Sequence, residues 1–180
     1  MIFWLLSYFG RKFCVKILSF VVWTKFYFTS QKSVNGKCII LAPPKQMEVF
    51  IEGLAFLQEI DSNMFHRLTD DNHFFFVYDK NRTGSFDRFF CINDAFLSWG
   101  QEGVAIYFAQ AVLDFSLMCL PAKMTRIETR TTRIITRCEI QKQLLNWIYQ
   151  HSHSFDAALV KHYEEIARLA CERVPNNKGG

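Results

Sequence analysis

Between Gln101 and Leu120 the chain reads QEGVAIYFAQAVLDFSLMCL, apolar on almost every side when wound at 3.6 residues per turn. A helix that is hydrophobic all round is a buried one, and this stretch is expected to form the central helix of the domain. Only Gln110, Asp114 and Ser116 break the run after Gly103. Gln110 and Asp114 are four apart, so they project from one face a turn from each other. Burying an amide and a carboxylate without partners is expensive, and that face is therefore expected to meet other polar groups or to line a cleft.

The other elements follow from the same pattern. Lys37 to Ala42, KCIILA, predicts a short buried strand stopped by Pro43-Pro44. In Lys45 to Ile60 the residues Met47, Phe50, Ile51, Leu54, Leu57 and Ile60 recur at helical spacing, until Asp61-Ser62-Asn63 breaks the helix ahead of one further turn at Met64 to Leu68. The aromatic runs His73 to Lys80 and Ser85 to Asn93 flank Asn81-Arg82-Thr83-Gly84, which predicts an antiparallel hairpin with Gly84 at a turn position of positive φ. Pro121 ends the central helix, and a long helix is predicted from about Met124 to Gln150, with Met124, Ile127, Ile134, Cys138, Leu145 and Ile148 facing inward. After His151-Ser152-His153-Ser154, Ser154 is expected to cap a last helix, Phe155 to Val174, followed by a polar tail, 175–180. The fold class is α+β: a short strand and an antiparallel hairpin packed against a mainly helical core, in a single domain over 33–174.

Composition changes the picture chiefly at the N-terminus. Half of the 180 residues are hydrophobic and nineteen are Phe, which is rich for a protein without a membrane or a partner. The net charge of +4 is uneven, because residues 1–32 hold Arg11, Lys12, Lys16, Lys25 and Lys32 and no acid, leaving −1 for the rest. Global basicity is thus no argument for nucleic acid, and no nucleic-acid partner is expected. Basic residues divide the opening apolar run into pieces shorter than the roughly 20 residues of a membrane span. A cleaved signal peptide also fits poorly, since the charges sit inside the run. An interfacial anchor fits better: Arg11, Lys12, Lys16 and Lys25 suit an anionic leaflet, while Trp4, Trp23, Phe26 and Tyr27 suit the headgroup boundary. Single-pass insertion around Ile17 to Phe28 and packing of the segment onto the domain are the alternatives. Six scattered cysteines without a C-x-x-C read as buried thiols in a reducing compartment rather than a disulfide framework.

Signals for chemistry are sparse. No G-x-S-x-G, P-loop, G-x-G-x-x-G or H-E-x-x-H occurs. His151, His153 and His162, with Asp156 and Glu165, make the densest metal-like grouping, but their spacing is not that of a zinc site, and surface histidines are the expected outcome. Arg126, Arg130, Arg133 and Arg137 fall on one face of the long helix and could bind phosphate or anionic lipid, although a solvated charge stripe is the ordinary reading. The candidate cleft residues are Gln110, Asp114, Glu128 and Glu139.

A strand, a helix, an antiparallel hairpin and a deeply buried helix make an order that resembles the zincin-like metallopeptidases. More narrowly, Leu54 to Leu57, Asp61 to Arg67, Phe108 to Asp114, Arg126-Ile127-Glu128 and Cys138-Glu139 resemble, in order, short motifs of small bacterial zinc metallopeptidases over Met47 to Trp147. In that family the buried helix carries H-E-x-x-H. Here Ala109 and Leu113 fall at the two zinc histidines and Gln110 at the catalytic glutamate. Neither Ala nor Leu ligates zinc, and a neutral amide takes no proton from water. The resemblance implies the fold of a degenerate relative and denies its activity. The expectation is a non-catalytic, membrane-associated domain on the cytoplasmic side that binds a protein partner and holds no cofactor. The alternative is a hydrolase or metal-dependent enzyme built from unconventional residues around Asp114 and the His151/His153 loop.

Overall fold

A computed structural model of the chain describes residues 31–71, 74–81, 83–86, 89–117 and 126–174. The fold is a mixed α+β one in which helices outweigh a five-stranded sheet of order β1-β2-β3-β5-β4. The strands are β1 (Gln31–Asn35), β2 (Cys38–Ala42), β3 (Phe74–Tyr78), β4 (Gly84–Phe86) and β5 (Phe89–Ile92). β2, β3 and β5 run parallel, and β1 and β4 are antiparallel edges.

β1 was not expected from its polar sequence; the tight turn that follows it forms the pairing. Asn35 pairs with Cys38 across a two-residue loop in which Gly36 has φ 57°. That conformation suits a primed hairpin turn. Lys37 N–H donates to the carbonyl of Thr69 at 2.5 Å, and a Cβ on Gly36 would collide with that same oxygen. Thr69 belongs to a π-helical turn, Arg67–Asp71, that follows the short helix α2 (Ser62–His66). The crossover between the parallel strands β2 and β3 opens with α1 (Pro44–Ile60), whose first residue is a proline, where a missing N–H does no harm.

The expected hairpin between the two aromatic runs is not formed. β3 and β5 are parallel, with Phe76 beside Phe90, and the hairpin is instead β4 with β5. The chain leaves β3, passes to the sheet edge as β4 and returns as β5 between them. FFFVY lacks the polar alternation of a strand with a wet face, and such runs belong in central parallel strands covered on both sides. Gly84, with φ 139°, opens β4 rather than occupying a hairpin turn.

On one sheet face Cys38, Ile40, Ala42, Phe74, Phe76, Phe90 and Ile92 are sealed under α1 and α4 (Gly100–Leu117). Phe76 meets Phe108 edge-on at 4.6 Å, and Phe115 meets Phe74 at 5.6 Å. The Tyr107 hydroxyl donates to the Cys91 carbonyl at 2.9 Å, pinning α4 to β5. Val104 to Ala109 are all buried, as expected of the central helix. A short helix, α3 (Asp94–Leu97), is capped by Asn93. Beyond α4 lie α5 (Arg126–Gln150) and α6 (Ala157–Glu172), whose Leu144, Trp147, Ile148, Leu159 and Tyr163 join the same core. Asp156, not Ser154, caps α6, accepting from Ala158 N–H at 2.7 Å.

Cys138 and Cys171 are joined by a disulfide between α5 and α6, which corrects the reading of all cysteines as buried thiols. The antiparallel helix pair brings these positions to 4.7 Å between Cα atoms, a proximity no local sequence spacing reveals. The second sheet face carries Val34, Ile39, Leu41, Phe75, Val77 and Cys91. None of the six belongs to the core built by the described helices, yet Leu41 and Val77 are only 5% and 1% exposed.

Candidate functional site

The C-terminal half of α4 carries the two polar residues singled out in its sequence. Gln110 and Asp114 are both half-buried on a helix whose other central residues are packed apolar groups. Burial raises the Asp114 carboxyl from its ordinary value to about 6, and the positive charge of Arg137 on α5 offsets only part of that rise. Asp114 thus sits close to half-protonated near pH 6. One turn beyond Arg137, Gln141 is buried at 5% exposure, and among the described residues its Oε1 accepts no hydrogen bond.

The remaining cleft candidates do not join this pair. Glu139 is exposed and accepts from Gln143 Nε2 at 3.1 Å, one turn along the same helix. The Glu128 side chain lies outside the described residues, as do those of Arg126 and Arg130. Arg133 and Arg137 are exposed on α5. Ala109 is fully buried and Leu113 nearly so, both within the apolar core.

The three histidines are dispersed. His153 is exposed, and His162 lies on the surface of α6 with its ring stacked on Trp99 at 5.7 Å. His151 alone is half-buried, with Nε2 3.7 Å from Asp61 Oδ2. That separation is an electrostatic approach and exceeds a hydrogen bond. The same oxygen accepts from Trp147 Nε1 at 2.8 Å, while Asp61 Oδ1 caps α2 through Met64 N–H at 2.9 Å. Trp147 also packs on His151 at 5.2 Å and Phe155 at 5.7 Å. Asp61 therefore clamps the end of α1 to the end of α5 across 86 residues of sequence. From the sequence alone Asp61 is a helix breaker, and the polar break at Asp61-Ser62-Asn63 is the one local sign of a cap.

An exposed pair, His66 Nδ1 and Asp70 Oδ2 at 2.9 Å, joins the last residue of α2 to the π turn; hydrogen bonds from His66 and Thr69 hold the Asp70 carboxyl below its usual range. No group of three or more His, Cys, Asp or Glu among the described residues is placed to hold a metal ion. No helix among them is long and apolar enough to cross a membrane. The proposed membrane contacts Arg11, Lys12, Lys16, Trp23 and Lys25 lie outside the described residues. Comparison with known proteins returned no matching family model, no matching curated protein and no matching solved structure.

Proposed function

We propose that the chain is a non-catalytic, membrane-associated domain that acts by binding a protein partner, on a degenerate zincin-like scaffold. The observation that carries this reading is the central helix itself. At the two positions where the resembled family places zinc ligands stand Ala109 and Leu113, both packed into the core, and between them Gln110 offers a neutral amide. Strand β2, helix α1, the antiparallel hairpin β4–β5 and then a buried helix follow that order, with β3, parallel to both β2 and β5, standing between α1 and the hairpin.

Membrane association rests on the basic, aromatic sequence of residues 1–32, with five cations and no acid. The Cys138–Cys171 bridge bears on the side, since lasting disulfides belong to oxidising compartments. We propose an oxidising compartment for the domain on that ground, in place of the reducing one that scattered cysteines without a C-x-x-C predict.

One observation favours a second reading, an enzyme working through Asp114: burial keeps its carboxyl partly protonated near neutral pH, as an acid–base group requires. Its neighbours on α4 are apolar, however, and Glu139 points elsewhere.

Flotation of the full chain with vesicles tests the membrane reading. Binding to vesicles containing phosphatidylserine is expected to exceed binding to phosphatidylcholine alone and to weaken with salt. Replacing Arg11, Lys12 and Lys16 together by Ala is expected to lower the partition coefficient about 100-fold, at ~1 kcal/mol per basic residue. Equal flotation of both proteins would overturn the electrostatic anchor.

A further inference from the structure

The second face of the sheet is built to be covered, and the structure points to what covers it. Parallel strands are found with both faces buried. Here the described helices account for one face only, and Val34, Ile39, Leu41, Phe75, Val77 and Cys91 form the other. Its burial is graded. The neighbours Leu41 and Val77 are 5% and 1% exposed, Ile39, Phe75 and Cys91 are intermediate, and Val34 on the edge strand is 54% exposed. A valine on an open sheet face keeps its outward methyl groups in water, so 1% exposure marks a covering group over that row. The connection from β3 to β4 does not supply it, because Lys80, Asn81 and Thr83 are themselves exposed.

We infer that residues 1–30 of this same chain dock on the second face, across the row Leu41–Val77–Cys91. The point of entry supports this occupant. Gln31, where the segment joins β1, pairs with Ala42, so the chain reaches the sheet one residue from Leu41. The length is sufficient: five strands at the usual spacing are about 19 Å across, and 20 residues wound as a helix reach about 30 Å. The composition is sufficient too, with Leu6, Phe9, Phe13, Ile17 and Phe20 among its apolar residues. Of the other stretches outside the described residues, the longest, 118–125, begins and ends on the helix-covered side, between α4 and α5. The inference goes beyond the membrane reading and does not depend on it. At 3.6 residues per turn Arg11, Lys12 and Lys16 fall on one side, so an apolar side can meet the sheet while the cations face a leaflet.

The test is photocross-linking of the full chain with p-benzoylphenylalanine in place of Phe75, and separately in place of Val34, whose exposed edge position tolerates the larger ring without disturbing the fold. A mixture of isotopically light and heavy protein is irradiated with and without vesicles, and the cross-linked peptides are mapped. The expected product from at least one position is a peptide of residues 1–30 from the same chain, unchanged on dilution. Cross-links from both positions that join light to heavy chains, that reach lipid, that fall elsewhere in the chain, or that fail to form would each overturn the inference. Flotation of the same samples is read separately, so loss of membrane binding with the intramolecular cross-link intact would count against the membrane reading alone.

Discussion

Asp114 concentrates what is distinctive at the scale of single residues. Its carboxyl is raised to about 6 in the folded chain, above its ordinary value, so the native state binds that proton more tightly than the unfolded state does. The stabilisation is fully present below about pH 4 and is lost as pH rises through about 6. Asp114→Asn is accordingly expected to raise stability at pH 7.5 by about 1–3 kcal/mol and to flatten the pH dependence between 4 and 7, measured by urea unfolding. An unchanged slope over that range would show that the carboxyl is not buried. The spacing of Gln110 and Asp114 on an apolar helix was legible in the sequence, because a polar interruption stands out against a uniform background. The bond from Trp147 to Asp61 was not, since it joins residues 86 apart and each has an ordinary local explanation.

At the scale of elements, the helix periods were legible and the strand directions were not. Over the described residues α1, α4 and α5 lie where hydrophobic spacing places them. The first aromatic run forms one strand as its pattern predicts, but the second holds two, β4 and β5, and pairing direction depends on where the chain goes between strands, which no local pattern encodes. The contact between α1 and α4 shows how tightly these elements fit. A Cβ at Gly53 would lie 2.5 Å from Val104 Cγ1 and 2.7 Å from Val104 Cβ. Gly53→Ala should therefore destabilise by about 1–3 kcal/mol through overpacking, visible as a lower urea midpoint. A gain in stability, as expected for this change on an exposed helix, would mean that the helices separate easily. The disulfide closes a separation of 33 residues between α5 and α6. In the chain-entropy picture its loss in a Cys138→Ser, Cys171→Ser double variant costs about 3–4 kcal/mol, to be read from the shift in unfolding midpoint against the oxidised protein. A variant as stable as the parent would mean that the helix pair needs no tether.

At the scale of the whole molecule, a sheet apolar on both faces is described with helices on only one, and the most hydrophobic, most basic stretch of the chain adjoins its first strand. Fold class was legible because buried helices and aromatic strands carry strong patterns. Function was less so, because the central helix offers Gln110 and Asp114 but none of the residue spacings that announce a particular chemistry. The central claim is that the buried helix keeps a scaffold without a metal centre. Elemental mass spectrometry of protein purified without chelator, beside an Asp114→Ala variant prepared identically, tests it most directly. Transition-metal content far below one equivalent in both proteins is the expected result. Zinc at about one equivalent in the parent and lost in the variant would contradict it, and would make α4 the wall of a working site with unconventional ligands.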